Sequence, residues 1–162
     1  RRGRSKGKGL FQVLLALGSN HEYVTLTLPT DVDMSLFFPE WSSGASARKL
    51  YAGMVRVVNV ETVLKGARYI GSGKVSISIS DGQIKENNGV FEVAFQDGRA
   101  VSVQKVCGNG DVDMGINEFS HLIIGNGDVR SMEFMEHVIV HKNKEALGQV
   151  FYRKPNMIME DF

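Results

Sequence analysis

The chain has 162 residues, enough for one compact domain with its own core. Hydrophobic residues make up 43%, charged residues 23%, and the net charge is +1, so the chain as a whole has no electrostatic pull toward nucleic acid or an anionic membrane. The longest apolar run, Leu10–Leu17, is far too short to span a bilayer.

In chain order, a basic opening (Arg1–Gly9) leads into Leu10–Leu17, which is apolar nearly all round, as a buried helix would be, and stops at Gly18-Ser19-Asn20. Tyr23–Leu28 is rich in β-formers and closes at Pro29. The small polar stretch Trp41–Ala47 reads as part of a linker. Gly53–Val58 reads as a strand, and Asn59 as the cap of a short helix over Val60–Lys65. Lys74–Ser80 alternates strictly, so one face of a strand is apolar and the other Ser/Lys. Val90–Phe95 and Ala100–Val106 flank Asp97-Gly98, a strong hairpin signal. Asp111–Ile116 alternates again. Asn117 is then expected to cap a helix over Glu118–Ile124 that ends at Gly125. A second helical stretch carries Met132, Met135 and Val138/Ile139, and a third runs from Lys144 to Phe151, before Pro155. The expected fold class is α+β, a curled and mostly antiparallel sheet covered by short helices.

The chemistry-bearing patterns are few. Arg4, Gly7 and Gly9 have the spacing Arg-x-x-Gly-x-Gly directly before a helix, where glycines let backbone N–H groups approach a pyrophosphate. This segment resembles the acetyl-coenzyme A loop of Gcn5-related N-acetyltransferases, but it has no strand before it. Cys107, the single cysteine, excludes an internal disulfide, and it reads as a buried thiol in a reducing, cytoplasmic setting. No secretory signal is legible, and a chain starting at Arg1 reads as a fragment or a processed product. Among the four histidines only His137 and His141 share i,i+4 spacing, as at a surface helix end, and no third ligand completes a metal site. Asp111 and Asp113 fall on one strand face, either as a carboxylate pair or as solvated acids. Phe91, Phe95 and Phe119 fit core positions. The tail, Asn156–Phe162, is partly apolar and does not fade into polar residues. Such a tail is either packed for stability alone, or docked so that its terminal carboxylate is fixed and can serve as a general base.

Several segments taken in order resemble one family. They are Leu26–Pro29, Arg48–Val60, Asp111–Met114 leading to Phe119–Leu122 and Gly125, Leu147–Phe151, and the final Phe162. The set resembles the C-terminal part of the Eis (enhanced intracellular survival) family of bacterial N-acetyltransferases. Asn59 departs from it, standing where the family commonly has Asp, but Asn serves the same capping role. The resemblance implies that residues 1–40 end a second, degenerate acetyltransferase-like domain, which makes the Arg4, Gly7 and Gly9 motif vestigial. Residues 41–49 would be a linker, and 50–162 a domain resembling sterol carrier protein. It also implies an acetyl-coenzyme A cofactor held by a preceding domain absent from this chain, and a small-molecule amine acceptor, aminoglycosides being one class. The terminal carboxylate of Phe162 would be the general base, with Glu160 and Asp161 as acidic substrate-side residues or plain solvated acids. No metal, nucleic acid or membrane is implied, a homo-oligomer is open, and the fragment alone is expected to be inactive. The alternatives are a lipid-binding module with a Met-rich apolar cavity and a structural or oligomerisation domain.

Overall fold

The computed structural model describes residues 54–155, together with positions 13, 16, 23, 25–29, 32, 46 and 48. The chain divides into two units, and Gly53–Asn156 is the one that carries nearly all the described residues.

This unit is α+β, as its sequence pattern predicts. Its elements are α1 (Val60–Gly66), β1 (Gly73–Ser80), a 3₁₀ turn (Lys85–Asn87), β2 (Gly89–Gln96), β3 (Arg99–Val106), β4 (Val112–Gly115), α2 (Ile116–Ile123), α3 (Val129–Met132), β5 (Val138–Val140) and α4 (Lys144–Val150). The five strands form one sheet in the order β3-β2-β1-β4-β5. β1–β2, β2–β3 and β4–β5 are antiparallel, and β1–β4 is parallel. The alternation read in Lys74–Ser80 buries Val75, Ile77 and Ile79 on one face. Phe91, Val93 and Phe95 of β2 and Val112 and Met114 of β4 continue that face, and Leu64, Phe119, Leu122, Leu147 and Val150 of the helices close over it. Each large side chain removed from water here contributes about 1.5–3 kcal/mol.

Turn chemistry fixes the meander. Gln96 faces Arg99, and the two residues between them, Asp97 (φ 50°) and Gly98 (φ 77°), are both left-handed. That is a type I′ turn, whose twist matches the flanking strands. Asn59 caps α1 as expected, accepting the Thr62 N–H at 2.8 Å.

Other expectations are corrected. Tyr23 and Thr25–Leu28 lie in no strand, and Tyr23 is exposed. Val13 and Ala16 are helical, but both are exposed rather than buried. Met54–Val58 is not a strand either. Its Val57 N–H goes to the Ser120 hydroxyl (2.9 Å) instead of a neighbouring strand, because β propensity becomes a strand only where a partner takes the backbone bonds. The N-cap of α2 is Gly115, not Asn117. Val138–Val140 is an edge strand and not helical, which takes His137 and His141 off any common helix face. Cys107 is exposed, in the turn that leaves β3.

Candidate functional site: the anchored root of the C-terminal segment

Phe162, Glu160 and Asp161, and likewise Arg4, Gly7 and Gly9, lie outside the described residues. What the structure does give is the stretch from which the C-terminal segment departs, Phe151–Pro155.

Phe151 closes α4. Its ring is wholly buried and meets Phe119 edge-on, with centroids 6.3 Å apart. An edge-to-face aromatic pair adds about 0.5–1.5 kcal/mol beyond its buried area. Just before it, the Gln149 carbonyl accepts the Ile70 N–H at 2.8 Å. Tyr152 donates its hydroxyl to the Arg68 carbonyl (3.3 Å), and Arg153 pairs with Asp128 (3.1 Å). Hydrogen bonding, first from the Ser131 N–H and then from its hydroxyl and Arg153, holds the Asp128 carboxyl below the usual carboxylate range.

Lys154 is fixed by backbone and side chain together. Its N–H donates to the Gly125 carbonyl at 3.1 Å, and its Nζ donates to the Ile123 carbonyl at 2.9 Å while lying 4.6 Å from the centre of the Tyr152 ring. A lysine is well matched to the carbonyls that end a helix. Burial pushes its ammonium pKa down. Gly125 admits this contact. It sits at φ 90°, and a Cβ there would come within 2.5 Å of the Lys154 backbone nitrogen. The helix-ending glycine was legible in the sequence; its contact partner 29 positions on was not.

The remaining polar candidates separate. Asp111 is buried and accepts the Ser76 N–H at 2.8 Å, so it is no solvated acid. Asp113 pairs with His141 at 2.7 Å. The two carboxylates thus serve different partners on the strand. Among the described residues no group of three or more His, Cys, Asp or Glu side chains is placed to hold a metal ion. No described helix is long and apolar enough to cross a membrane. An open groove of about 420 Å³ lies between β5 and the start of α4, lined by Met132, Glu133, Val138, Val140, Lys142 and Lys144 among others. Met132 packs into the core with Met135 against it. Met157 and Met159 lie outside the described residues.

Comparison with known proteins adds a family. Residues 60–159 match the sterol carrier protein domain. The chain belongs to that family. The sterol carrier domain fold recurs in several solved structures. One is an Enterococcus faecalis V583 protein of unknown function, named a probable N-acyltransferase (20% identity, 60% of this chain and 26% of that one, TM-score 0.54). Another is a GCN5-related N-acetyltransferase from Anabaena variabilis (21%, 61% and 26%, TM-score 0.54). A third is Eis1 from Mycobacterium abscessus (17%, 64% and 26%, TM-score 0.54). At these identities the likeness is one of fold, and this chain spans about a quarter of each of those chains, 26%. No curated protein matches the sequence.

Proposed function

We propose that this sterol carrier domain is the C-terminal part of an acetyl-coenzyme A-dependent N-acetyltransferase of the Eis type, and that it works as a scaffold for the C-terminal segment. In this reading residues 1–40 finish a degenerate acetyltransferase-like domain, 41–49 link, and 50–162 form the scaffold. The cofactor belongs to the preceding domain, and Arg4, Gly7 and Gly9 are a vestige of a second cofactor loop. Phe162 carries the terminal carboxylate. That carboxylate takes the proton an acceptor amine must lose before it attacks the thioester. Glu160 and Asp161 add negative potential that favours a polycationic acceptor such as an aminoglycoside.

The observation that carries the reading is the anchored root. A base on a short tail acts only if the tail starts from a fixed point, because misplacement of about 1 Å can cost 10²-fold in rate. Phe151, Lys154 and Gly125 supply such a point. The names of the structures that share the fold point the same way. The test is acetyl transfer by the full-length enzyme with one residue added after Phe162. Turnover is expected to fall about 10²–10⁴-fold with the fold intact. Unchanged turnover would leave the tail as packing alone. The fragment by itself is expected not to bind acetyl-coenzyme A tightly, and low-micromolar binding by calorimetry would count against that assignment of the cofactor.

A further inference from the structure

We infer that Asn109, followed by Gly110, is a site of spontaneous backbone modification where the chain enters the centre of the sheet. The step needs only this chain and water. The Gly110 main-chain nitrogen attacks the Asn109 side-chain carbonyl carbon, its proton passes to solvent, and ammonia leaves as a cyclic imide closes. Water then opens the ring. Opening at the side-chain carbonyl gives aspartate. Opening at the main-chain carbonyl gives isoaspartate, whose backbone runs through the former side chain and is longer by a carbon. A following glycine favours the closure, because no Cβ crowds the attacking nitrogen.

Asparagine precedes glycine at Asn88, Asn109 and Asn126, and all three asparagines are exposed. Hydrogen bonds tell them apart. The Asn88 side chain accepts the Asp81 N–H and donates to the Asp81 carbonyl, both at 2.8 Å, and Gly89 is paired with Ile79 in the sheet. The Asn126 N–H donates to the His121 carbonyl at 3.2 Å. Its neighbours are held too: Gly125 is bonded to Leu122 and Lys154, and Asp128 opens the capping box of α3. Among the described residues no hydrogen bond engages the Asn109 side chain or the Gly110 N–H. Gly108, at φ 126°, precedes Asn109 and adds a glycine's freedom on that side. Asn109 can therefore turn its amide toward the Gly110 nitrogen without first breaking a bond.

Packing ties the reactive pair to this place. A Cβ on Gly110 would lie 2.7 Å from the Val112 carbonyl oxygen and 2.9 Å from the Ser78 nitrogen, so a side chain there would push the main chain apart. The next residue, Asp111, is fixed through main chain and side chain alike. Its N–H donates to the Ser76 carbonyl at 2.7 Å, and its carboxylate accepts the Ser76 N–H at 2.8 Å. The added backbone carbon of isoaspartate thus presses on a joint without slack, where β4 begins beside β1 in the middle of the sheet. The modification loosens that joint.

The test is ageing of the full 162-residue chain in warm neutral buffer, native and, in parallel, unfolded in urea. Peptide mapping by mass spectrometry locates the conversion, and methyl transfer from S-adenosylmethionine by an isoaspartyl methyltransferase counts the isoaspartate. In the native chain Asn109 should convert first. Asn88 should lag by about tenfold or more, because its two side-chain bonds must break before closure. Asn126 should lag as well. In urea the three should convert at comparable rates, since the fold no longer sorts them. Asn109→Gln, which would have to close a larger and less favourable ring, should remove the native signal and leave the thermal melt unchanged at this exposed position. Hydrogen exchange of the aged wild type should show the Ser76 and Asp111 amides losing protection, and the aged Asn109→Gln chain should keep it. A native chain that does not convert, conversion of Asn88 or Asn126 ahead of Asn109, a signal that survives Asn109→Gln, or full protection of both amides after conversion would overturn the proposal.

Discussion

The compact unit Gly53–Asn156 begins with Met54–Val58 and ends with Phe151–Pro155, and different chemistry holds these two stretches, the entry and the exit. The entry is held largely by polar side chains. Arg56 pairs with the buried Asp81 at 2.7 Å, and the Val57 N–H goes to Ser120 at 2.9 Å. Hydrogen bonds, first from the Asn87 side chain and then from the Gln83 and Ile84 N–H groups, together with the Arg56 charge, hold the Asp81 carboxyl far below the usual range. The exit is held by a buried ring and by bonds to main-chain carbonyls. An entry depends on solvent conditions when titratable groups secure it. An exit secured by backbone and packing keeps its direction when those conditions change.

The largest break in this contrast is expected at the exit. Phe151→Ala removes a wholly buried ring and should cost about 3–5 kcal/mol in chemical denaturation. Gly125→Ala should cost about 1–3 kcal/mol, because the added Cβ meets the Lys154 backbone at a left-handed φ. Under the proposed reading as part of an acetyltransferase, the same change in the complete protein should lower kcat more than it raises KM. A purely structural glycine would lower the amount of folded enzyme and leave both constants of the surviving fraction alone. At the entry, Ser120→Ala leaves the buried Val57 N–H without its acceptor and should cost about 1–2 kcal/mol by the same measurement.

The smallest effect is the acid response. Asp81 has a folded pKa below its unfolded one, so its contribution is complete above about pH 4 and is lost as the pH falls further. Hydrogen exchange should therefore show Val57 losing protection in acid before Lys154 does. The carbonyl acceptors of Lys154 do not titrate, and only the Arg153–Asp128 arm of the exit weakens with acid. Equal loss at both amides would erase the contrast.

The parts of the fold legible in the sequence were those set by neighbours in the chain. The Asp97-Gly98 turn, the Asn59 cap and the strict alternation of Lys74–Ser80 each depend on residues a few positions apart. Val138–Val140 misled because three apolar residues fit a helix or a strand equally well, and the spacing of Met132, Met135 and Val138/Ile139 suited a helix. Pairing with β4 decided it, and that pairing is long-range. Met54–Val58 has the composition of a strand, yet the Ser120 hydroxyl takes the backbone bond that the reading assigned to a partner strand. Cys107 was read as buried from its residue type, whereas the turn after β3 exposes it. The root of the C-terminal segment was illegible for the same reason. Nothing near Lys154 announces that Gly125 will accept its N–H.

The parallel pairing of β1 with β4 has a consequence for the order of assembly. The β1–β2–β3 meander closes through short connections and can form from the first half of the unit. β4 must cross back past the whole meander to reach β1, so that Ile77 meets Val112 only after both strands have been synthesised. α4 and Phe151 come later still, yet Phe151 supplies the edge-on cover for the Phe119 ring. During synthesis, then, the Phe119 ring stays uncovered on that side until Phe151 has emerged. A growing chain therefore closes this core only once α4 has formed.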